Sequence, residues 1–374
     1  MAKKAYIGVG GSARRVKNIY IGVGGIARKV KKAYIGVGGV ARPCFGSGLE
    51  YWGTAPDLSV ARSSLAAASV GNYALFGGGY IGSSEIYTAV DAYDASLTRR
   101  TAPDLSVARW NIAAASVGNY ALFGGGRGAS SSYLDTVDAY DTSLTHTAAT
   151  DLSVERADVS ATSVGGYALF GGGAGANSSY CNTVDAYDTS LTHTVATKLS
   201  LGRYNLSAAS IGGYALFGGG RTGSYYANVD VYDSKLTRTA APDLSVGRSG
   251  LAATIVGNYA LFGGGLGASS AYYATVDVYD TSLTHTVATD LSVARWNLAA
   301  ANAGKYALFG GGIAGNSLAT VDVYDTSLTR TAAPDLSVAR SCRRAATTVG
   351  ENILFGGGDT RSAHSAAVDV YVSY

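Results

Sequence analysis

The chain has 374 residues, with 51 Gly, 27 Tyr and only 5 Pro, and 15% of its residues are charged. That balance excludes a disordered chain, which needs high charge and few aromatics, and suits many short strands joined by tight turns. The net charge of +3 hides an asymmetry: residues 1–43 carry ten Lys/Arg and no acid, whereas the remainder carries 19 bases against 26 acids.

Residues 1–48 form the first predicted unit, a basic arm. KKAYIGVGGSARRV (3–16), KNIYIGVGGIARKV (17–30) and KKAYIGVGGVARPC (31–44) recur every 14 residues. Each reads as a strand, a Gly-Gly turn and a second strand, which is a β-hairpin. One hairpin is not stable alone in water, so the arm is expected to fold against other copies of itself or to dock on a larger assembly. GVGGSA, GVGGIA and GVGGVA also match the dinucleotide pattern G-x-G-x-x-A, but that site needs a following helix, for which a 14-residue period leaves no room. Ten charges on exposed strands keep unpaired edges soluble, so nucleic acid is not the expected partner. The arm resembles the hairpin arrays that open phage and prophage structural (tail-associated) proteins of Gram-positive gut bacteria, over about an eighth of the chain. The resemblance implies attachment to other virion or tail proteins through residues 1–43, and a homo-oligomer.

The first residues lack the apolar stretch of a secretory signal, and no run approaches 18 apolar residues. A soluble protein made in a reducing cytoplasm, with no membrane insertion, is expected. Cys44, Cys181 and Cys342 contain no CxxC pair and suggest neither a disulfide framework nor a zinc site.

From residue 49 onward the chain repeats with a longer period. GGG begins at Gly77, Gly124, Gly171, Gly218, Gly263, Gly310 and Gly356, at intervals of 45 to 47 residues. Each unit holds four strand-length stretches, which in the second unit are a (IAAASV, 112–117), b (YALFG, 120–124), c (TVDAY, 136–140) and d (LTHTAATDL, 144–152). One such antiparallel sheet cannot bury both faces, so it must stack on copies of itself. The Ala-rich strand a suits the crowded centre of a ring. VDAY or VDVY occurs seven times, yet strand d follows it only six times, and LEYWGTAPDLSVAR (49–62) supplies the missing copy. Residues 49–374 are therefore predicted to be an all-β, seven-bladed β-propeller, with an N-terminal strand completing the last blade and closing the ring.

A glycine run after an apolar strand, a V-x-x-Y-D turn and an Arg before the next strand resemble the kelch repeat, over residues 49–374. That family usually places a Trp in strand d. Here the slot holds Arg99, His146, His193, Arg238, His285 and Arg330, and only Trp52 restores it. The outer packing of the blades is thus expected to differ.

Candidate chemistry is sparse. His146, His193 and His285 share one position in three outer strands, too far apart for one metal, and His364 stands alone in a loop. Most carboxylates recur in every blade within VDxYD and PDLS, as turn caps would. Glu155 and Asp158 are the irregular pair, but nothing marks them as the cleft carboxylates of a glycosidase. No catalytic residue, metal or cofactor is expected.

The a–b and c–d turns barely change between blades, whereas the d–a entries and b–c loops do. In an up-and-down sheet these two variable stretches share one face of the disc. The expected ligand-binding face comprises an Arg at each strand entry (Arg62, Arg109, Arg156, Arg203, Arg248, Arg295, Arg340) and the variable Trp110, Asn111, Asp158, Tyr204, Asn205, Trp296 and Asn297 beside them. Tyr80, Tyr87, Tyr133, Tyr180, Tyr225, Tyr226, Tyr272 and Tyr273 join them from the b–c loops. Aromatics provide contact area at low entropic cost and small polar residues provide adaptable hydrogen bonds, which also suits sugar rings. The Arg ring has an alternative, structural reading as a link between neighbouring blades. The sequence thus favours a non-catalytic virion-associated adhesin that recognises a host-surface glycan or protein. An intracellular protein-interaction scaffold and a carbohydrate-active enzyme are the alternatives.

Overall fold

The computed structural model describes residues 48–82 and 85–374, together with the strands at 6–9, 12–15, 20–23, 26–29, 33–37 and 40–45. Those early strands pair as three separate antiparallel hairpins with partners Val9 and Ser12, Val23 and Ile26, and Val37 and Val40. The Gly-Gly pairs expected to turn these hairpins lie outside the described residues.

Residues 49–374 build seven four-stranded antiparallel sheets in the spatial order a-b-c-d. In blade 2 these are Ala113–Val117, Tyr120–Arg127, Tyr133–Asp141 and His146–Ala148. Strand a alternates buried and half-buried residues, so its first, third and fifth side chains pack between blades while the second and fourth face the ring centre. The second position is alanine in all seven blades (Ala67, Ala114, Ala161, Ala208, Ala253, Ala300, Ala346), which lets the inner strands converge.

Core clusters bridge adjacent blades. Leu75, Val90 and Leu105 of the first meet Ile112, Phe123 and Tyr140 of the second. The GGG triplet explains the closeness of this contact. A Cβ on Gly124 would lie 2.9 Å from the Phe170 ring of the next blade, and one on Gly125, at φ +65°, only 2.5 Å from the Arg156 carbonyl. The third glycine of every blade donates its N–H to the Arg carbonyl of the following blade. Gly79 bonds Arg109 at 2.9 Å, and so on round to Gly358, which bonds Arg62 at 2.9 Å. This seven-membered circuit closes the ring.

Closure also uses the predicted strand. Leu49–Ala55 pairs antiparallel with His364–Ser373 as the outer strand of blade 7, with Val368 opposite Ala55 and Ser373 opposite Leu49. One detail corrects the sequence alignment. A bulge lies between the pairs Val370–Gly53 and Tyr371–Tyr51, so Tyr51, not Trp52, stands where other blades carry Arg or His. Trp52 is the extra residue and packs against the blade 7 and blade 1 core.

Strand d is shorter than its nine-residue apolar pattern implied. Only His146–Ala148 is strand in blade 2. The rest is an ordered connector held at both sides: the Leu152 N–H bonds the Asp135 carbonyl of its own blade, and the Thr150 carbonyl accepts the Tyr187 hydroxyl of the next at 2.7 Å.

Candidate recognition face and central channel

The two variable stretches meet within each blade. Ser63 bridges Tyr80, Trp110 bridges Arg127, Ala157 bridges Ala174, Tyr204 bridges Arg221, Ser249 bridges Leu266, Trp296 bridges Ile313 and Ser341 bridges Asp359. Every d–a entry is thus tied to its own b–c loop, and both sit on one face. The near-constant turns occupy the other, where close packing restricts the first glycine of the a–b turn. A Cβ on Gly118 of an a–b turn, at φ +53°, would lie 2.9 Å from Thr189 of the neighbouring c–d turn, and Asp188 at that turn accepts the Ser190 and Thr192 N–H groups at 2.8 and 2.9 Å.

The arginine ring does not belong to the surface. Arg62, Arg109, Arg156, Arg203, Arg248, Arg295 and Arg340 are all 0% exposed. Each reaches inward along its own blade to the first Asp of VDxYD, at 2.5 to 2.9 Å in six blades, with Arg109–Asp138 the seventh pair. Each also donates to the Phe carbonyl of strand b at 3.0 or 3.1 Å. The buried Asp is satisfied further. The backbone N–H of the connector Ser (Ser59, Ser106, Ser153, Ser200, Ser245, Ser292, Ser337) donates to it across the blade boundary. From strand d comes Arg99, His146, His193, Arg238, His285 or Arg330, and in blade 7 the Tyr51 hydroxyl. A buried charge requires this many partners. These seven arginines therefore leave the list of ligand contacts. The structural alternative is the right one, although the arginine grips its own blade and the Asp carries the link to the preceding connector.

The same geometry gives the other titratable candidates their partners. His146, His193 and His285 each hold the buried strand c Asp of their own blade at 2.6 or 2.7 Å. His364 opens strand c of blade 7 rather than lying in a loop, and its Nε2 accepts the Gly82 N–H at 3.3 Å. Among the described residues, no group of three or more His, Cys, Asp or Glu could hold a metal. Glu155 is exposed, whereas Asp158 is buried and engaged by Arg343 at 2.8 Å, so the two carboxylates face different tasks.

The predicted aromatics stay on the variable face and cluster across blade boundaries. Tyr80 packs against Trp110 at a 39° tilt with centroids 4.8 Å apart, and Arg127 lies over Trp110 and Tyr133 at 5.6 and 4.5 Å. Tyr180 and Tyr204 are parallel within 7° at 5.5 Å, beside Arg221, which also reaches Tyr225 at 6.0 Å. Tyr180 and Tyr272 are the most open, at 40% and 37% exposure. Tyr87, Tyr226, Tyr273 and Trp296 are half-buried. Tyr87 donates to Glu85 and Tyr226 meets the Thr222 hydroxyl.

The small polar entry residues surround the channel mouth. Ser64, Asn111, Asp158, Asn205, Gly250 and Asn297 all have φ between +52° and +62°, a conformation Gly, Asn and Asp accept most readily. The carbonyl of each of the first five accepts the N–H of the next: Asn111 donates to Ser64 at 2.9 Å, Asp158 donates to Asn111 at 3.1 Å, and so on to Asn297, which donates to Gly250 at 2.8 Å. Asn111 and Asn205 are therefore rim elements of the channel before they are ligand contacts.

Blade 7 breaks this belt, and sequence reasoning missed why. Between Arg340 and GGG it carries one residue more than blade 6. Cys342 takes the buried place that Leu298 holds in blade 6, and a turn closed by Ala345 N–H to Cys342 carbonyl at 2.8 Å projects Arg343 and Arg344 over the channel. Arg343 spans the mouth to Asp158 at 2.8 Å, Asn111 at 3.4 Å and Asn205. One side chain thereby ties blade 7 to blades 2, 3 and 4.

No protein-family model matches the chain, and no curated protein matches it. The solved "Structure of YjhT" aligns with a TM-score of 0.60 at 15% identity, over 75% of this chain and 99% of that one. At that identity the likeness is one of fold alone, and the quarter of the chain it leaves uncovered is additional to YjhT.

Proposed function

We propose that this propeller is a non-catalytic capture module of kelch type, and that its variable face recognises a host-surface glycan or protein for a phage or prophage particle. The observation that carries the reading is the confinement of blade-to-blade variation to the face where Tyr80, Trp110, Tyr133, Tyr180, Tyr204, Tyr225 and Tyr272 gather. The alternation of aromatic rings with Arg127 and Arg221 suits carbohydrate, since rings pack on sugar faces and guanidinium groups bond hydroxyls and carboxylates. The basic hairpins at 1–43 would attach the disc to the particle, and several discs on one particle would multiply weak individual contacts. A glycan array probed with residues 48–374 is the test. Tyr180→Ala and Trp110→Ala should each weaken the best hit by more than about 1 kcal/mol, or at least fivefold. Unchanged affinity in both variants would remove these clusters from the site.

A further inference from the structure

The centre of the disc holds a feature that the capture reading does not use. Beneath the Arg343 bridge lies a cavity of about 130 Å³, walled by inner-strand residues that include Ala114, Ala208, Ala253, Ser160 and Ser207. Arg344 forms part of its lining, is held at φ +61° and leaves Nη1 without a hydrogen bond. Asp158 is the acid nearest to it, 3.9 Å from that nitrogen, and is already bonded by Arg343 at 2.8 Å. Two guanidinium groups thus share one carboxylate in an alanine-walled space. Burial and the repulsion of Arg343, only partly offset by Asp158, push the Arg344 pKa down to about 9, so the group is charged at neutral pH and short of a counter-charge.

We infer that this channel binds one small oxyanion, of the carboxylate, sulfate or phosphate class, on the free edge of Arg344. The cavity is too small for a peptide or an oligosaccharide and large enough for such an ion and a water or two. A planar guanidinium offers paired N–H groups to two oxygens of such an anion, and Ser160 and Ser207 supply neutral donors in the same lining. Entry need not disturb Arg343. The opposite mouth is a wider space of about 310 Å³ ringed by hydroxyl and amide groups, among them Ser69, Thr162, Ser210, Thr254, Asn302 and Thr348. The alanine ring between the two mouths gives a short, uncharged passage. This inference is independent of the capture reading: either can fail without the other.

Isothermal titration of residues 48–374 with sulfate, phosphate and acetate at constant ionic strength, using chloride as background, tests it, and glucuronate asks whether the anion arrives on a sugar. A saturable one-to-one isotherm with at least one of the four is expected, weakened at least tenfold by Arg344→Gln and less by Arg344→Lys, which keeps the charge but not the fork. Binding of the inorganic ions alone identifies a free ion as ligand, and binding of glucuronate with acetate identifies a carboxylate borne on a sugar. No saturable heat from any of the four overturns the inference. So does an isotherm left unchanged by both substitutions, each checked for an unaltered far-ultraviolet spectrum.

Discussion

Replacing Asp185 by Ala will cost the propeller about 3–5 kcal/mol, the scale expected when one member of a buried ion pair is removed and the other stays behind. Arg156 would be left fully buried, with only the Phe170 carbonyl at 3.0 Å to receive its Nη2. His193 and the Ser153 N–H would lose the same acceptor, so the connector from blade 2 would loosen as well. Burial by itself would raise the Asp185 pKa, but the Arg156 charge and the bonds from His193 and Ser153 outweigh it and hold the carboxyl below its ordinary value. The sign of the pH dependence follows. A folded-state pKa below the unfolded one contributes stability that is complete above about pH 4 and is lost as pH falls through the folded value. Denaturant titrations of wild type at pH 7 and pH 3 should therefore differ, and Asp185→Ala should show a smaller difference. An unfolding free energy at pH 7 within about 0.5 kcal/mol of wild type would mean that the Arg–Asp pairs do not hold the blades.

Deleting residues 1–47 will leave the propeller folded, whereas deleting 1–56 will not. The shorter deletion removes only the hairpin arm. The longer one strips blade 7 of its outer strand, including the Tyr51 hydroxyl bond to Asp369 at 2.7 Å and the packing of Trp52 and Ala55 on Leu354, Val368 and Val370. It also exposes an unpaired edge along Val368–Ser373 and leaves the last blade unsealed. Loss of two large aromatics from a packed boundary is worth on the order of 5 kcal/mol. Thermal unfolding should stay at the wild-type midpoint in the first variant and fall steeply, or lose cooperativity, in the second. The first variant should also fail to enter particles, because the arm is proposed as the attachment segment. Equal midpoints would mean that the closing strand is dispensable.

The ring was legible because repetition exposed it. Seven GGG runs and seven VDxY motifs number the blades, and the six-to-seven mismatch in strand d locates the closing strand at residues 49–58. The division of constant and variable loops between two faces was legible for the same reason: antiparallel strands alternate direction. What stayed hidden depended on side-chain direction. An Arg at the end of a connector reads alike whether it points to solvent or turns inward to a strand c Asp, and only the seven-fold recurrence of both residues hinted at the pair. The Tyr51 register was hidden because a bulge adds a residue without changing composition. Arg343 and Arg344 left a fainter sign, the single extra residue before the last GGG. That departure from the repeat deserved as much weight as the repeat itself.

Capture is proposed for a single face of the disc, and blocking one face at a time tests this most directly. Residues 48–374 with Cys181→Ser, and with Cys342 buried, carry no open thiol of their own. Ala271→Cys places a thiol in a variable b–c loop and Ser143→Cys places one in a near-constant c–d turn, both at exposed positions. Each can then carry a bulky polyethylene glycol chain. Capture of host-surface glycan or of intact cells should be abolished by the chain at residue 271 and untouched by the one at residue 143. The reverse pattern, or equal loss from both, would contradict one-faced recognition.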